Sequence, residues 1–99
     1  MKNSLSSYES ILIFSANYSP KKLKYIAYYY AKNLKKWGAT NIHIKYRGKR
    51  DLAYSFFNKT RGNYIQLNCS STPKYISNFE NTLKLDSNVL RFLVFNKDN

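Results

Sequence analysis

The chain has little cysteine, few acidic residues and no long apolar run, and each of these absences excludes a class of site or partner. Its 99 residues include one cysteine, Cys69, which excludes an intrachain disulfide and a thiolate metal cluster. Its longest apolar stretches, at 11–14 and 92–95, fall far below the roughly 20 residues of a membrane-spanning helix. The segment before Tyr8 (MKNSLSS) has one lysine and no apolar core. We therefore expect no membrane partner, and a protein that works in the compartment where it is made.

The scarcity of acidic residues leaves a large positive charge. The chain has five Asp and Glu residues and 17 Lys and Arg residues, which gives a formal net charge of +12. So large an excess repels itself in the folded state, and the natural partner is a polyanion such as RNA. Ten Tyr and six Phe are too many for a core of this size, so some rings must reach the surface. The length predicts a single domain over 1–99, with flexible tails at 1–7 and 96–99.

The apolar pattern predicts six elements in the order β-α-β-β-α-β. They are a strand at 8–16, a helix from Ser19-Pro20 to Gly38, a strand at 42–46 that extends or resumes at 52–57, a hairpin turn at 59–63, a strand at 64–69, a helix starting at Thr72-Pro73, and a strand at 89–95. This order is typical of the ferredoxin-like α+β fold, in which both helices cover one face of a four-stranded antiparallel sheet.

Several short motifs resemble one known family. Gly48–Tyr54 (GKRDLAY) is similar to the Gly-x-[Lys/Arg]-[Lys/Arg]-Leu-Ala-Tyr signature of ribosomal protein six of the small subunit, with Asp51 in place of a basic residue. The family pattern is also matched by Tyr8-Glu9, Trp37-Gly38-Ala39, Gly62-x-Tyr64 and Asn88–Phe92 (NVLRF). These motifs keep the family's order from Tyr8 to Phe95, nearly the whole chain.

The resemblance implies a scaffold role without chemistry. Family members bind the central domain of small-subunit rRNA together with ribosomal protein eighteen during assembly. No cofactor, metal or small-molecule substrate is implied. The A/U-rich codons behind the abundant Lys, Asn, Ile, Tyr and Phe favour a plastid ribosome, in the stroma, with the bacterial cytoplasm as the alternative.

Basic residues around the second strand are the main candidates for RNA contact. Lys45 and Arg47 alternate with Tyr46, which predicts that the two cations share one face of the sheet. Lysine contacts phosphate as a point charge and arginine binds it with two nitrogens. A solvated strand face is the alternative interpretation. The predicted RNA-binding residues are Tyr8, Lys45, Arg47, Lys49, Arg50, Arg61, Tyr64 and Arg91.

The other candidates have structural alternatives. Arg91, in an apolar strand, is expected on the uncovered sheet face, where it meets RNA or pairs with Glu9. Tyr8 and Tyr64 offer rings for base stacking, although packing is the more frequent use of a strand tyrosine. In the first helix Tyr30 belongs to the core, whereas Tyr28 and Tyr29 are expected to be more exposed, and the lysines form a solvated face. His43 is expected at the surface and Cys69 in the packed interior.

Three other classes of protein share this element order. An RNA-recognition motif outside the ribosome is the main alternative, but Asn63 and Gln66 stand where its third strand carries aromatic rings. An acylphosphatase-like enzyme needs an arginine in the loop after the first strand, and that loop is Asn17–Pro20 (NYSP). A metal carrier on this fold needs two cysteines. We therefore expect no enzymatic activity.

Overall fold

Four strands and two helices follow one another in the predicted order. A computed structural model describes residues 5–52 and 60–98, apart from the side chains of Asp51, Leu52 and Thr60. The elements are β1 (Ser6–Phe14), α1 (Pro20–Lys36), β2 (Thr40–Leu52), β3 (Thr60–Ser71), α2 (Pro73–Leu85) and β4 (Val89–Asn96). The strands form one antiparallel sheet in the order β2-β3-β1-β4. The predicted ferredoxin-like arrangement is confirmed.

The core lies between the helices and one face of the sheet. Leu12 of β1 and Ile65 of β3 are opposite each other in the register, and both pack against the buried sides of the helices. The helices contribute Leu23, Ile26, Tyr30 and Leu34 from α1 and Ile76, Phe79 and Leu83 from α2. The three-and-four spacing of these residues forms one apolar stripe on each helix.

Helix α1 begins and ends at the residues that the sequence predicts. The Ser19 side chain accepts a hydrogen bond from the backbone N–H of Lys22 at 3.2 Å, and Pro20 occupies the first helical position. At the other end Gly38 adopts φ +89°, where a side chain would be strained. The N–H groups of Gly38 and Ala39 donate to the carbonyls of Lys35 and Leu34 at 3.0 and 2.9 Å, a Schellman closure.

The sheet departs from the prediction between β2 and β3. Arg61, Gly62 and Asn63, expected in a turn, belong to β3 and lie opposite Asp51, Arg50 and Lys49. The turn prediction is wrong for these residues, because β2 continues to Leu52 and offers them backbone partners. Thr60 of the predicted turn also belongs to β3, opposite Leu52, whereas Lys59 and the predicted strand residues 53–57 lie outside the described residues.

The strands also reach further into the termini than predicted. Ser6 and Ser7 belong to β1, and Asn96 belongs to β4. The N–H of Lys97 donates to the carbonyl of Ser7 at 2.7 Å, and the Asp98 carboxylate accepts from the N–H of Ser7 at 2.9 Å. These bonds shorten the predicted tails, of which residues 1–4 and 99 lie outside the described part of the chain.

Candidate nucleic-acid interface

Strands β2 and β3 form a ribbon that runs past the end of the neighbouring strand. Strand β1 ends at Phe14, opposite Asn63, whereas β3 continues back to Thr60 alongside Leu52 of β2. We call the cations on these two strands the basic ribbon: Lys45, Arg47, Lys49, Arg50 and Arg61, all of them exposed. The structure thus brings five of the eight predicted RNA-binding residues into one region.

A bulge in β2 determines how these cations are arranged. The register shifts between Tyr46 and Gly48, so Arg47 has no counterpart on β3, and Gly48 takes φ +81°. The register gives Arg47 no opposite residue that would place its side chain, so the expectation that Arg47 shares a face with Lys45 stays a prediction. Arg50 Nε donates to the carbonyl oxygen of Arg47 at 2.8 Å, which holds the Arg50 stem against the bulged strand.

Arg91 lies on the sheet face that the helices do not cover, as predicted. It is opposite Ile13, whose side chain packs with Ile11, Tyr64 and the half-buried Leu93 on that open face. Arg91 is exposed, but three strand spacings, or about 14 Å, separate β4 from β2. The structure therefore does not join Arg91 to the basic ribbon.

The alternative ion pair between Arg91 and Glu9 is absent from the described contacts. Glu9 is opposite Phe95, four residues along β4 from Arg91, which separates the two by about 13 Å. The Glu9 carboxylate instead lies 4.0 Å from the ammonium nitrogen of Lys97.

Tyr8 and Tyr64 are packed inside the protein. Tyr8 is 7% exposed and belongs to the core beneath the helices, and burial, more than the nearby Cys69 thiol and acidic groups, raises its pKa. Tyr64 is 1% exposed and packs with Ile11 and Ile13 on the other face of the sheet. Base stacking needs an accessible ring face, so the structure favours the packing alternative at both positions.

The outer side of α1 is more aromatic than the sequence prediction recognised. Tyr28 and Tyr29 are exposed and Tyr30 is fully buried, as expected. Tyr25 was not singled out from the sequence, yet its side chain is 73% exposed. The helical period could have predicted this exposure. Tyr25 is one residue before the buried Ile26 and five before the buried Tyr30, which places it on the side of the helix opposite the core.

Metal-binding groups do not assemble in the described residues. His43 is exposed, and burial raises the pKa of the Cys69 thiol to about 11. Within ranges 5–52 and 60–98, no three His, Cys, Asp or Glu side chains are grouped as metal ligands. Neither of the two described helices is long and apolar enough to cross a membrane.

Comparison with known proteins identifies the class. Residues 7–96 match the family model of ribosomal protein S6. The chain is 53% identical over 93 residues to the small ribosomal subunit protein bS6c of Phaeodactylum tricornutum, covering 94% of this chain and 95% of that protein. It is 32% identical over 91 residues to the bS6 protein of Trichodesmium erythraeum, covering 92% and 78%. The fold is shared with the crystal structure of 30S ribosomal protein S6 from Thermotoga maritima, with a TM-score of 0.80, 18% identity and coverage of 95% and 89%.

These matches define a structural protein of the small ribosomal subunit rather than an enzyme. The chain belongs to the ribosomal protein S6 family. The resemblance seen in the sequence motifs is thereby confirmed, and the ribosomal interpretation is preferred to an RNA-recognition motif outside the ribosome.

Proposed function

We propose that this protein binds the central domain of small-subunit rRNA jointly with ribosomal protein eighteen during assembly of the subunit. The basic ribbon neutralises phosphates, and a sheet edge, β2 or β4, docks the partner protein. These are the two edge strands of the described sheet, and each has one side without a neighbouring strand. An exposed strand edge is a template for pairing with another chain.

The observation that carries the RNA proposal is the concentration of exposed cations on the β2–β3 ribbon. Arg47, Lys49 and Arg50 lie within four residues of one another on an extended strand, and Arg61 is on the strand beside them. A paired ribbon holds its backbone in place while the long side chains reach outward, which suits contact with a phosphate backbone. Phosphate contacts of this kind position a protein on RNA without reading base sequence.

We further propose that the protein acts in a plastid ribosome. The plastid-type bS6c proteins of Phaeodactylum tricornutum and Trieres chinensis are 53% and 49% identical to this chain, against 32% for the bacterial bS6 of Trichodesmium erythraeum. Localisation of a tagged protein to plastids tests this proposal, and a cytosolic signal contradicts it.

Arg50→Ala tests the ribbon directly. If Arg50 contacts a phosphate, the variant binds a central-domain rRNA fragment more weakly, and the slope of log affinity against log salt falls by about one unit. Lys84→Ala on α2 is the matched control, since it removes one exposed charge far from the ribbon in sequence. A slope unchanged by Arg50→Ala, or reduced equally by Lys84→Ala, removes Arg50 from the interface.

A further inference from the structure

The outer face of α1 carries a concentration of positive charge, which the helix dipole favours only at the C-terminal end, at Lys35 and Lys36. Among its 17 residues are six lysines and no acidic residue. All six lysines are exposed: Lys21, Lys22, Lys24, Lys32, Lys35 and Lys36. Lys21 and Lys22 lie in the first turn, where the helix dipole favours acidic side chains. Lys32 and Lys36, four residues apart, repel each other across one turn.

Two exposed tyrosines lie between lysines along one stripe of α1. Lys21, Tyr25, Tyr28, Lys32 and Lys35 follow spacings of four and three residues, which places them on the side of α1 opposite the core. This stripe, which we call the outer stripe, runs from Lys21 to Lys35, a helical rise of about 21 Å. Tyr25 and Tyr28 are 73% and 62% exposed, so both side chains are accessible to solvent.

A groove beside the stripe joins one ring to several cations. It has a volume of about 470 Å³ between α1 and β2 and is lined by Tyr28, Ala31, Lys32, Lys35, Lys36 and Ile42. The Lys32 ammonium lies over the Tyr28 ring, 5.5 Å from its centroid. A flat apolar surface and three mobile ammonium groups thus share one concave site.

We propose that the outer stripe and its groove bind a single-stranded segment of RNA. The lysines neutralise phosphates and Tyr28 stacks on an unpaired base. A nucleotide supplies an anion and a flat ring at neighbouring positions, and exposed tyrosines flanked by lysines match both. An acidic protein segment matches the charge but gives the rings no comparable partner. This surface is on the helix side of the sheet and is separate from the β2–β3 ribbon, so it goes beyond the proposed function.

The test is a titration with a fluorescein-labelled, mixed-sequence, single-stranded RNA of 12 nucleotides at several salt concentrations. Lys32→Gln/Lys35→Gln should reduce the salt slope by about 1.4 units, since each neutralised phosphate of a single strand contributes about 0.7. Tyr28→Leu should weaken binding about tenfold and leave the slope unchanged, because stacking is not an ionic contact. Tyr28→Phe, which keeps the ring, should bind like the unmodified protein.

Helix α2 offers matched controls. Lys74→Gln/Lys84→Gln removes the same charge from exposed positions. Tyr75→Leu removes a half-buried ring that also lies near a lysine, since the Lys74 ammonium is 5.8 Å from the ring centroid. Both should leave RNA binding nearly unchanged. Thermal unfolding followed by circular dichroism shows that each variant is folded before it is titrated.

Two outcomes overturn the proposal. Equal effects of the α1 and α2 variants mean that net charge alone attracts the oligonucleotide. In the second, the α1 variants bind the oligonucleotide normally but are lost from assembled subunits, which means that a protein covers this face. Because the ribbon is tested by Arg50→Ala on the central-domain fragment, failure at one surface leaves the other result intact.

Discussion

At the scale of single residues, Gly62 is the glycine with the least room for a side chain. A Cβ atom at this position would lie 2.4 Å from the carbonyl oxygen of Phe14 and 2.8 Å from the Ile13 side chain. Both neighbours belong to β1, which is held in the centre of the sheet by β3 and β4. Gly62 is therefore required by space, whereas Gly38 and Gly48 are required by their positive φ angles.

Gly62→Ala should lower the free energy of unfolding by about 1 to 3 kcal/mol, because the methyl group forces β1 and β3 apart. Urea unfolding measures the change. Gly48→Asn is the control: no atom lies within 4 Å of its Cβ position, and Asn tolerates positive φ better than most residues. Equal destabilisation by both changes would contradict the steric account.

Cys69 should be nearly inert toward alkylation in the folded protein. Burial raises its pKa from the ordinary value of 9.0 to about 11, so at pH 8 its reactive thiolate is about 100-fold rarer than in the unfolded chain. Because the folded pKa is the higher one, this contribution to stability is complete below about pH 9 and is lost as the pH rises toward 11. Iodoacetamide labelling with and without denaturant measures the difference, and similar rates in the two states would exclude a protected thiol.

At the residue scale, the sequence pattern predicted burial on helix α1 and left packing and base stacking as alternatives for the strand tyrosines. The burial of Tyr30 and the exposure of Tyr28 followed from the helical period. Tyr8 and Tyr64 were candidates for stacking, but both rings are buried. A strand pattern alone does not reveal that Tyr64 is enclosed, because residues distant in sequence, Ile11 and Leu93, contribute to that cluster.

At the scale of elements, the two helices begin alike in sequence but differ in their capping contacts. Ser19 and Thr72 each precede a proline at the first helical position. The Ser19 hydroxyl accepts the Lys22 N–H, whereas Thr72 makes no side-chain cap hydrogen bond. The same motif therefore supplies a hydrogen bond at α1 only.

Ser19→Ala should destabilise the protein by about 1 kcal/mol, since it leaves a backbone donor of the first turn without its partner. Thr72→Ala provides the comparison and should cost clearly less. Thermal unfolding of both variants measures the two effects. A larger loss for Thr72→Ala would show that the capping geometry described for α1 is not what stabilises it.

Element order was predictable from the sequence, and strand pairing around the bulge was not. Alternation identified β2 and β3, and the proline and glycine signals placed both ends of α1. The extra residue Arg47 and the extension of β3 to Thr60 depend on hydrogen bonds between strands. Local pattern contains no information on such a register, so the arrangement of the basic ribbon emerged only from the fold.

At the scale of the whole molecule, the five acidic residues cannot compensate the positive charge of the 17 Lys and Arg residues. Asp86 accepts hydrogen bonds from the Tyr30 hydroxyl and the Asn88 N–H, and Asp98 accepts from Ser7. Glu9 lies beside Lys97. Three of the five acidic residues are thus engaged locally, and a net charge of +12 is left for a partner. Self-repulsion of this size is relieved when a polyanion binds.

The most direct test of the proposed function is a titration of the protein with a central-domain fragment of small-subunit rRNA. It is carried out with and without ribosomal protein eighteen, at two salt concentrations and in the presence of competitor RNA. We predict tight binding that requires the partner and persists against the competitor. Weak binding that is equal for any RNA, independent of the partner and abolished by moderate salt would contradict the account.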